Sequence, residues 1–215
     1  RELQGDSQVF TAEMVQKMKD GVDGWGNTNW YDKVYGTGTR THHNISATGG
    51  SDRVRFFASI GYLNEDGNID NYGYNRLNLR SNIDAKLTKS LTFTLGVSGR
   101  IEKRDSPRYS ANPDDWHNVP QQVIRALPYV PDTYEYEGKT YNVSTPTASS
   151  PVAPVASINE SGYSKSNYSY IQSNFSLKYD APWLKGLSFK FQGAYDLTYN
   201  FSKILSNPYE VMIMN

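Results

Sequence analysis

Cysteine is missing from the chain, which removes any disulfide framework, any thiolate metal site and any cysteine nucleophile, and leaves the redox compartment open. Net charge is missing too. The 22 Lys and Arg residues balance 22 Asp and Glu among 215 residues, so the broad positive field that nucleic-acid binding depends on is absent and no nucleic-acid partner is expected. No apolar run approaches the roughly 18 residues of a membrane-crossing helix, and the mean hydropathy is −0.67. The sequence opens at Arg1 with neither an initiator Met nor a basic-then-apolar leader, so a signal peptide is expected to be absent or already removed. Long Ala, Leu and Glu runs, the mark of a helical bundle, are also wanting. Histidine is scarce: His42, His43 and His117. Adjacent His42 and His43 would point to opposite faces of a strand and cannot grip one metal together.

Aromatic residues, by contrast, are abundant at 13%, with 17 Tyr, too many for a disordered chain. Thr11 to Lys19 reads as a short helix capped by Thr11 and stopped by Gly21. A loop rich in Gly and Trp follows. From about Thr41 the pattern turns to period two. Leu77, Leu79, Ser81, Ile83, Ala85 and Leu87 alternate with Arg76, Asn78, Arg80, Asn82, Asp84, Lys86 and Thr88, which gives a strand one apolar and one polar face. The same alternation runs through Leu91 to Glu102, Ile171 to Asp180 and Leu187 to Ser202, with further strands at about His43 to Gly49 and Val54 to Leu63. The expectation is six antiparallel strands.

A soluble β-sandwich also has one polar and one apolar face, so alternation alone leaves two architectures open. Three features favour a transmembrane barrel. The strands hold phase for about 11–16 residues where ordinary strands run about 5–6, long enough to cross a bilayer with tilt. The connections sort by length: tight turns at Gly49 to Asp52, Thr88 to Ser90 and Pro182 to Gly186, longer loops at Asn64 to Gly73 and Asp105 to about Lys165. Barrels of the outer membrane have that asymmetry. Tyr62, Tyr74, Tyr179, Trp183 and Tyr199 fall near strand ends, where an interfacial girdle places amphipathic rings. The fold class expected is therefore all-β, a segment of an antiparallel up-and-down transmembrane β-barrel with a long extracellular loop. Its organisation reads as a loop and short helix over 1–40, barrel strands over 41–104, the long loop over 105–165, a barrel hairpin over 166–204, and the start of another extracellular loop over 205–215.

Several stretches carry a resemblance. They are Asn27 to Asp32, His43 to Ser51, Arg55 to Gly67, Tyr74 to Asp84 and, in the long loop, Pro128 to Pro131. In their order and spacing the chain resembles the SusC/RagA-like TonB-dependent outer-membrane transporters of Bacteroidetes, most closely from about Trp30 to Arg104. The resemblance implies a 22-stranded barrel with an N-terminal plug that imports glycans or peptides on energy passed by TonB. It also implies a SusD-like surface lipoprotein as lid partner; no cofactor is expected. No plug or TonB-interacting box is recognisable, so the chain is expected to be a segment from the first part of the barrel, after the plug, with TonB engaged by parts outside it. Lipids of the outer membrane are the expected neighbours of the apolar face, and an oligosaccharide or peptide the expected cargo.

Chemistry in the strict sense is not apparent. Asp114 and Asp115 have no base partner that the sequence can argue for, and no nucleophile comes with an organised base, so no enzymatic activity is expected. Asn64 to Asp70 has the oxygen density of a calcium loop, but its Gly67 falls too early for the EF-hand register and Asp-Gly is a turn signal. The long loop is the candidate for function, since sixty-odd residues exceed an ordinary connection. It reads as a short helix over Trp116 to Leu127, a rigid corner over Pro128 to Pro131, a hairpin over Thr133 to Tyr141 turning at Glu137-Gly138, and an extended or mobile arm over Ser144 to Ala156. Flat rings beside carboxylates and amides suit sugar recognition, which makes Trp116, Tyr129, Tyr134, Tyr136 and Tyr141 the candidate ligand contacts. The competing function is a secreted β-sandwich module, glycan-binding or adhesin-like, whose apolar stripe would be covered by a second sheet.

Overall fold

A computed structural model describes residues 10–108, 118–145 and 152–213. Six long strands form one sheet: β1 (Arg40–Gly50), β2 (Val54–Asp66), β3 (Gly73–Lys86), β4 (Leu91–Pro107), β7 (Gly162–Asp180) and β8 (Ser188–Ser206). Every neighbouring pair is antiparallel and the order in space is the order in sequence, β1-β2-β3-β4-β7-β8. This is the up-and-down arrangement expected. The strands run 11 to 19 residues, longer at several ends than their alternation alone marks.

Register decides what the alternation is for. Ile60 faces Leu79, Ile83 faces Leu95, Phe93 faces Leu177, Ile171 faces Leu197 and Leu177 faces Phe191. Side chains at directly paired positions share a face, so the apolar sets of all six strands merge into one continuous surface. That surface is bare. Ile45, Phe56, Leu79, Ile171, Phe191 and Leu197 are all exposed, and among the described residues no second sheet stacks on them. A sandwich would bury this face at about 10 Å from its partner. Two glycines on it are each roofed by the phenyl ring of the residue across the pair, Gly49 by Phe56 and Gly193 by Phe175.

One aromatic assignment changes. Tyr74 lies on the polar face, opposite Arg104 in register, with the Arg104 guanidinium 5.6 Å from its ring centroid. An even-numbered position in β3 belongs with Arg76 and Arg80, so proximity to the strand end was misleading. Tyr62 and Tyr199 do lie on the apolar face, and Tyr62 donates to Asn75 Oδ1 at 2.9 Å.

At the long-loop end sits a small cap assembled from segments far apart in sequence. It comprises α1 (Ala12–Asp20), α2 (Trp30–Val34), α3 (Val119–Arg125) and α4 (Pro154–Asn159), with a second sheet of β5 (Thr133–Tyr136), β6 (Lys139–Ser144) and β9 (Val211–Ile213). Thr11 caps α1 through its hydroxyl, and Gly21 ends it in a left-handed conformation at φ 63°, as the sequence anticipates. Val34, Ile69, Val119 and Ile158 form one core cluster, and Trp30, Ala126 and Val152 another. Two expectations fail here. The end of the supposed arm is packed core: Val152, Ala153, Pro154 and Ala156 are buried, because small side chains fit a close helix approach and Pro154 starts α4 where no N–H is needed. Residues 146–151 of that arm lie outside the described residues. The tail after β8 is not merely loop either, for β9 pairs in parallel with β6.

Candidate functional site: the cap and the polar wall

The cap is held together by a tight splice between the Gly-Trp loop and the Pro128 to Pro131 corner. Gly26 N donates to Tyr129 O at 2.8 Å, Thr28 N to Pro128 O at 2.8 Å, Thr28 Oγ1 to Val130 O at 2.8 Å and Trp30 Nε1 to Leu127 O at 2.9 Å. Glycine is required at position 26, where a methyl group would run into the backbone of Val130 and Pro131. The Asn64 to Asp70 loop belongs to the same joint. Asp66 Oδ2 accepts from Thr39 Oγ1 at 2.8 Å, Gly36 N donates to Asn68 O at 2.7 Å, and Ile69 is buried in the core. Its oxygens thus serve docking, and among the described residues no group of three His, Cys, Asp or Glu is arranged to hold a metal ion. Beside this loop a polar cleft of about 690 Å³ opens between it and the tops of β4 and β7, with Asp70, Asp105, Tyr163 and Lys165 on its walls.

The candidate tyrosines separate into two groups. Tyr129 packs against Phe10 and Trp25, with ring centroids 5.5 and 6.0 Å away; it is part of the splice. Tyr134, Tyr136 and Tyr141 come together on the β5–β6 hairpin. Its turn residues Glu137 and Gly138 have φ 50° and 77°, the paired positive values of a two-residue hairpin loop. Tyr134 then pairs with Tyr141 and Tyr136 with Lys139, which places all four side chains on one face. Tyr134 and Tyr136 are 37% and 53% exposed. Lys139 Nζ lies 4.5 Å from the Tyr141 ring centroid and 3.2 Å from Glu210 Oε2, and the hydrogen bond and charge of Glu210 hold its ammonium above its ordinary pKa. Lys139 is a member that ring content alone does not reveal, although the Glu137-Gly138 turn implies its pairing with Tyr136. Trp116 lies outside the described residues.

The polar face of the sheet carries a second organised group. Glu102, buried at 4% exposure, accepts a hydrogen bond from Arg104 Nη2 at 3.0 Å and forms an ion pair with Arg100, whose Nε lies 3.0 Å from Oε1. Arg100 stacks over Tyr170 at 4.3 Å and Arg104 over Tyr168 at 5.2 Å. Such an array suits a wall facing water and polar neighbours: guanidinium planes lie on rings while their donors are satisfied by a carboxylate.

A one-sided sheet of long antiparallel strands, with short turns at one end and a folded cap at the other, defines the class: a segment of an antiparallel transmembrane β-barrel. Comparison with known proteins gives the narrower kinship. No family model matches the chain. It is 30% identical over 100 residues to TonB-dependent receptor P3 of Formosa agariphila, a match covering 46% of this chain and 10% of the relative. It is 28% identical over 82 residues to TonB-dependent receptor SusC of Bacteroides thetaiotaomicron, covering 38% and 8%. The fold superposes on the structure of the RagAB peptide importer in its open-open state with a TM-score of 0.67 at 20% identity, covering 95% of this chain and 25% of that one. For the closed-closed state the TM-score is 0.63, covering 92% and 24%. The chain therefore spans about a quarter of those solved chains. The resemblance to SusC/RagA-like TonB-dependent transporters stands in sequence over part of the chain, and the fold over nearly all of it is that of a segment of such a barrel. The proteins it resembles are named as receptors and importers.

Proposed function

We propose that the chain supplies wall and outer vestibule to a TonB-dependent importer of the outer membrane that takes up oligosaccharides or other large nutrients. The observation that carries this reading is the continuous exposed apolar face. On β8 it runs from Phe189 to Tyr199, ten residues apart. At about 3.3 Å per residue and a tilt of about 40°, that is a height of about 25 Å, the apolar band of an outer-membrane barrel. Lipid covers this face, and the Arg and Glu face turns to the lumen. The cap stands at the outer end, where a SusD-like surface lipoprotein would close over it; TonB acts through parts of the transporter beyond this chain.

Within the vestibule, Tyr134, Tyr136 and Tyr141 offer ring faces to sugars while Lys139 and Glu210 take hydroxyls. Peptide is the second reading. It is supported by β5, which is an edge of its three-stranded sheet and could accept an extended chain as an added strand; the solved relatives are described as a peptide importer. Replacing all three tyrosines by Ala in the full-length transporter is expected to lower uptake of its oligosaccharide cargo at least tenfold, with outer-membrane levels unchanged. Uptake of labelled oligosaccharide and labelled peptide is the measurement. Undiminished transport of both would remove the hairpin from the cargo route.

A further inference from the structure

The apolar face has a sharp upper border. Followed upward from the short turns, it presents Leu91, Phe93, Leu95, Val97, Gly99 and Ile101 on β4 before the first charged residue, Lys103. On β7 the first is Lys165, after Tyr179, Leu177, Phe175, Ser173, Ile171, Ser169 and Asn167. On β8 it is Lys203, after Phe189, Phe191, Gly193, Tyr195, Leu197, Tyr199 and Phe201. Three adjacent strands thus change from uncharged to cationic along one line.

The lysines also converge. Lys165 and Lys203 are directly paired across β7 and β8, a like-charge juxtaposition that destabilises a sheet unless an anion answers it. Their ammonium groups gather over one ring, 5.1 and 5.8 Å from the centroid of Tyr163. Lys103 stands one register step below, opposite Asn167, and the neighbouring acid is Asp105, opposite Lys165. No ion pair engages Lys103, Lys165 or Lys203 among the described residues. Asp66 and Asp70 line the same cleft as Asp105 and Lys165, but Asp66 is separated from Lys165 by β3 and β4 and is held by Thr39, so positive charge is in excess on the β7–β8 side, where Lys165 and Lys203 meet.

We propose that Lys103, Lys165 and Lys203 form a binding site for the phosphorylated headgroup of an outer-leaflet lipid. The site rests on the transmembrane orientation proposed above, which sets its depth. Lys203 lies four residues beyond Tyr199 on β8, about 10 Å higher at the same rise and tilt, within lysine reach of the headgroup layer that flanks the roughly 30 Å hydrocarbon core. Lipid is favoured over free phosphate because the acyl chains of the same molecule would lie on Phe201, Tyr199 and Ile101 just below.

The test uses the full-length transporter in mild detergent, with phosphorylated lipid A, the same lipid dephosphorylated, and inorganic phosphate as probes. Each lysine near an anionic headgroup contributes about a fivefold gain in affinity, so a Lys103→Gln, Lys165→Gln, Lys203→Gln triple variant is expected to bind phosphorylated lipid A about 100-fold more weakly. The matching triple Arg variant keeps the binding, and millimolar inorganic phosphate fails to compete. Equal binding of both lipids, or an unaltered triple Gln variant, would overturn the site, leaving the lysines as simple interfacial anchors. Full competition by inorganic phosphate would overturn the lipid assignment. Wild-type protein that stays dispersed without detergent would overturn the membrane orientation itself, whereas a detergent-requiring, folded triple Gln variant with lost lipid binding isolates the lysines as the cause.

Discussion

Trp30 donates its indole proton to the Leu127 carbonyl across 97 residues of chain and is 4% exposed between Ala126 and Val152. One side chain therefore ties the segment before the barrel strands to the loop after the fourth. Trp30→Ala is expected to destabilise the cap by about 3–5 kcal/mol; Trp30→Phe, which keeps a ring but leaves the carbonyl unanswered, by about 1 kcal/mol. Hydrogen exchange at the Gly26 and Thr28 amides in the full-length protein checks both, since those amides open with the splice. The Glu102 carboxylate is the comparable residue on the polar wall. Glu102→Gln removes the ion pair with Arg100 and weakens the charge-assisted hydrogen bond from Arg104, at a cost of about 2 kcal/mol, measured as a lowered melting temperature in detergent.

At the scale of elements, the two faces of each strand should respond oppositely to charge. Val97→Arg, near the middle of the apolar face of β4, is expected to cost about 2–4 kcal/mol and to reduce the heat-modifiable, membrane-inserted form. Ser98→Arg, one residue on and facing the polar side, should insert normally. The strands were legible in the sequence because their faces differ so strongly that a period of two survives over ten residues or more, as in Leu77 to Leu87. Tyr74 was misread for want of parity: closeness to a strand end does not say which way a ring points, whereas its even spacing from Arg76 does. The cap was less legible. Its core is built from Ala126, Ala153, Ala156 and Ser157 as much as from large residues, so Ser- and Pro-rich sequence imitates a loose linker. Its second sheet also needs a parallel partner, β9, that follows two 19-residue strands, and no local pattern announces so distant a pairing. The β5–β6 hairpin was foreseen because Glu137-Gly138 encodes its turn locally.

For the whole molecule, the governing fact is a sheet with two open edges, β1 and β8, and one oily side. Unpaired strand edges recruit other strands, and a bare apolar face of this extent recruits anything that excludes water. The segment expressed alone is therefore expected to be insoluble without detergent, and to form mixed oligomers with it; sedimentation in the two conditions distinguishes this from a monomeric, cooperatively unfolding module, which would contradict the barrel reading. The parallel pairing of β6 with β9 sets an order of events as well. The cap's small sheet is fastened by a short ribbon that comes after the last of the long strands, so the cap cannot take its final shape until β8 has been made. Completion must then run from the large sheet to the small one: every residue of the six long strands has been made before the three-stranded sheet receives its last member.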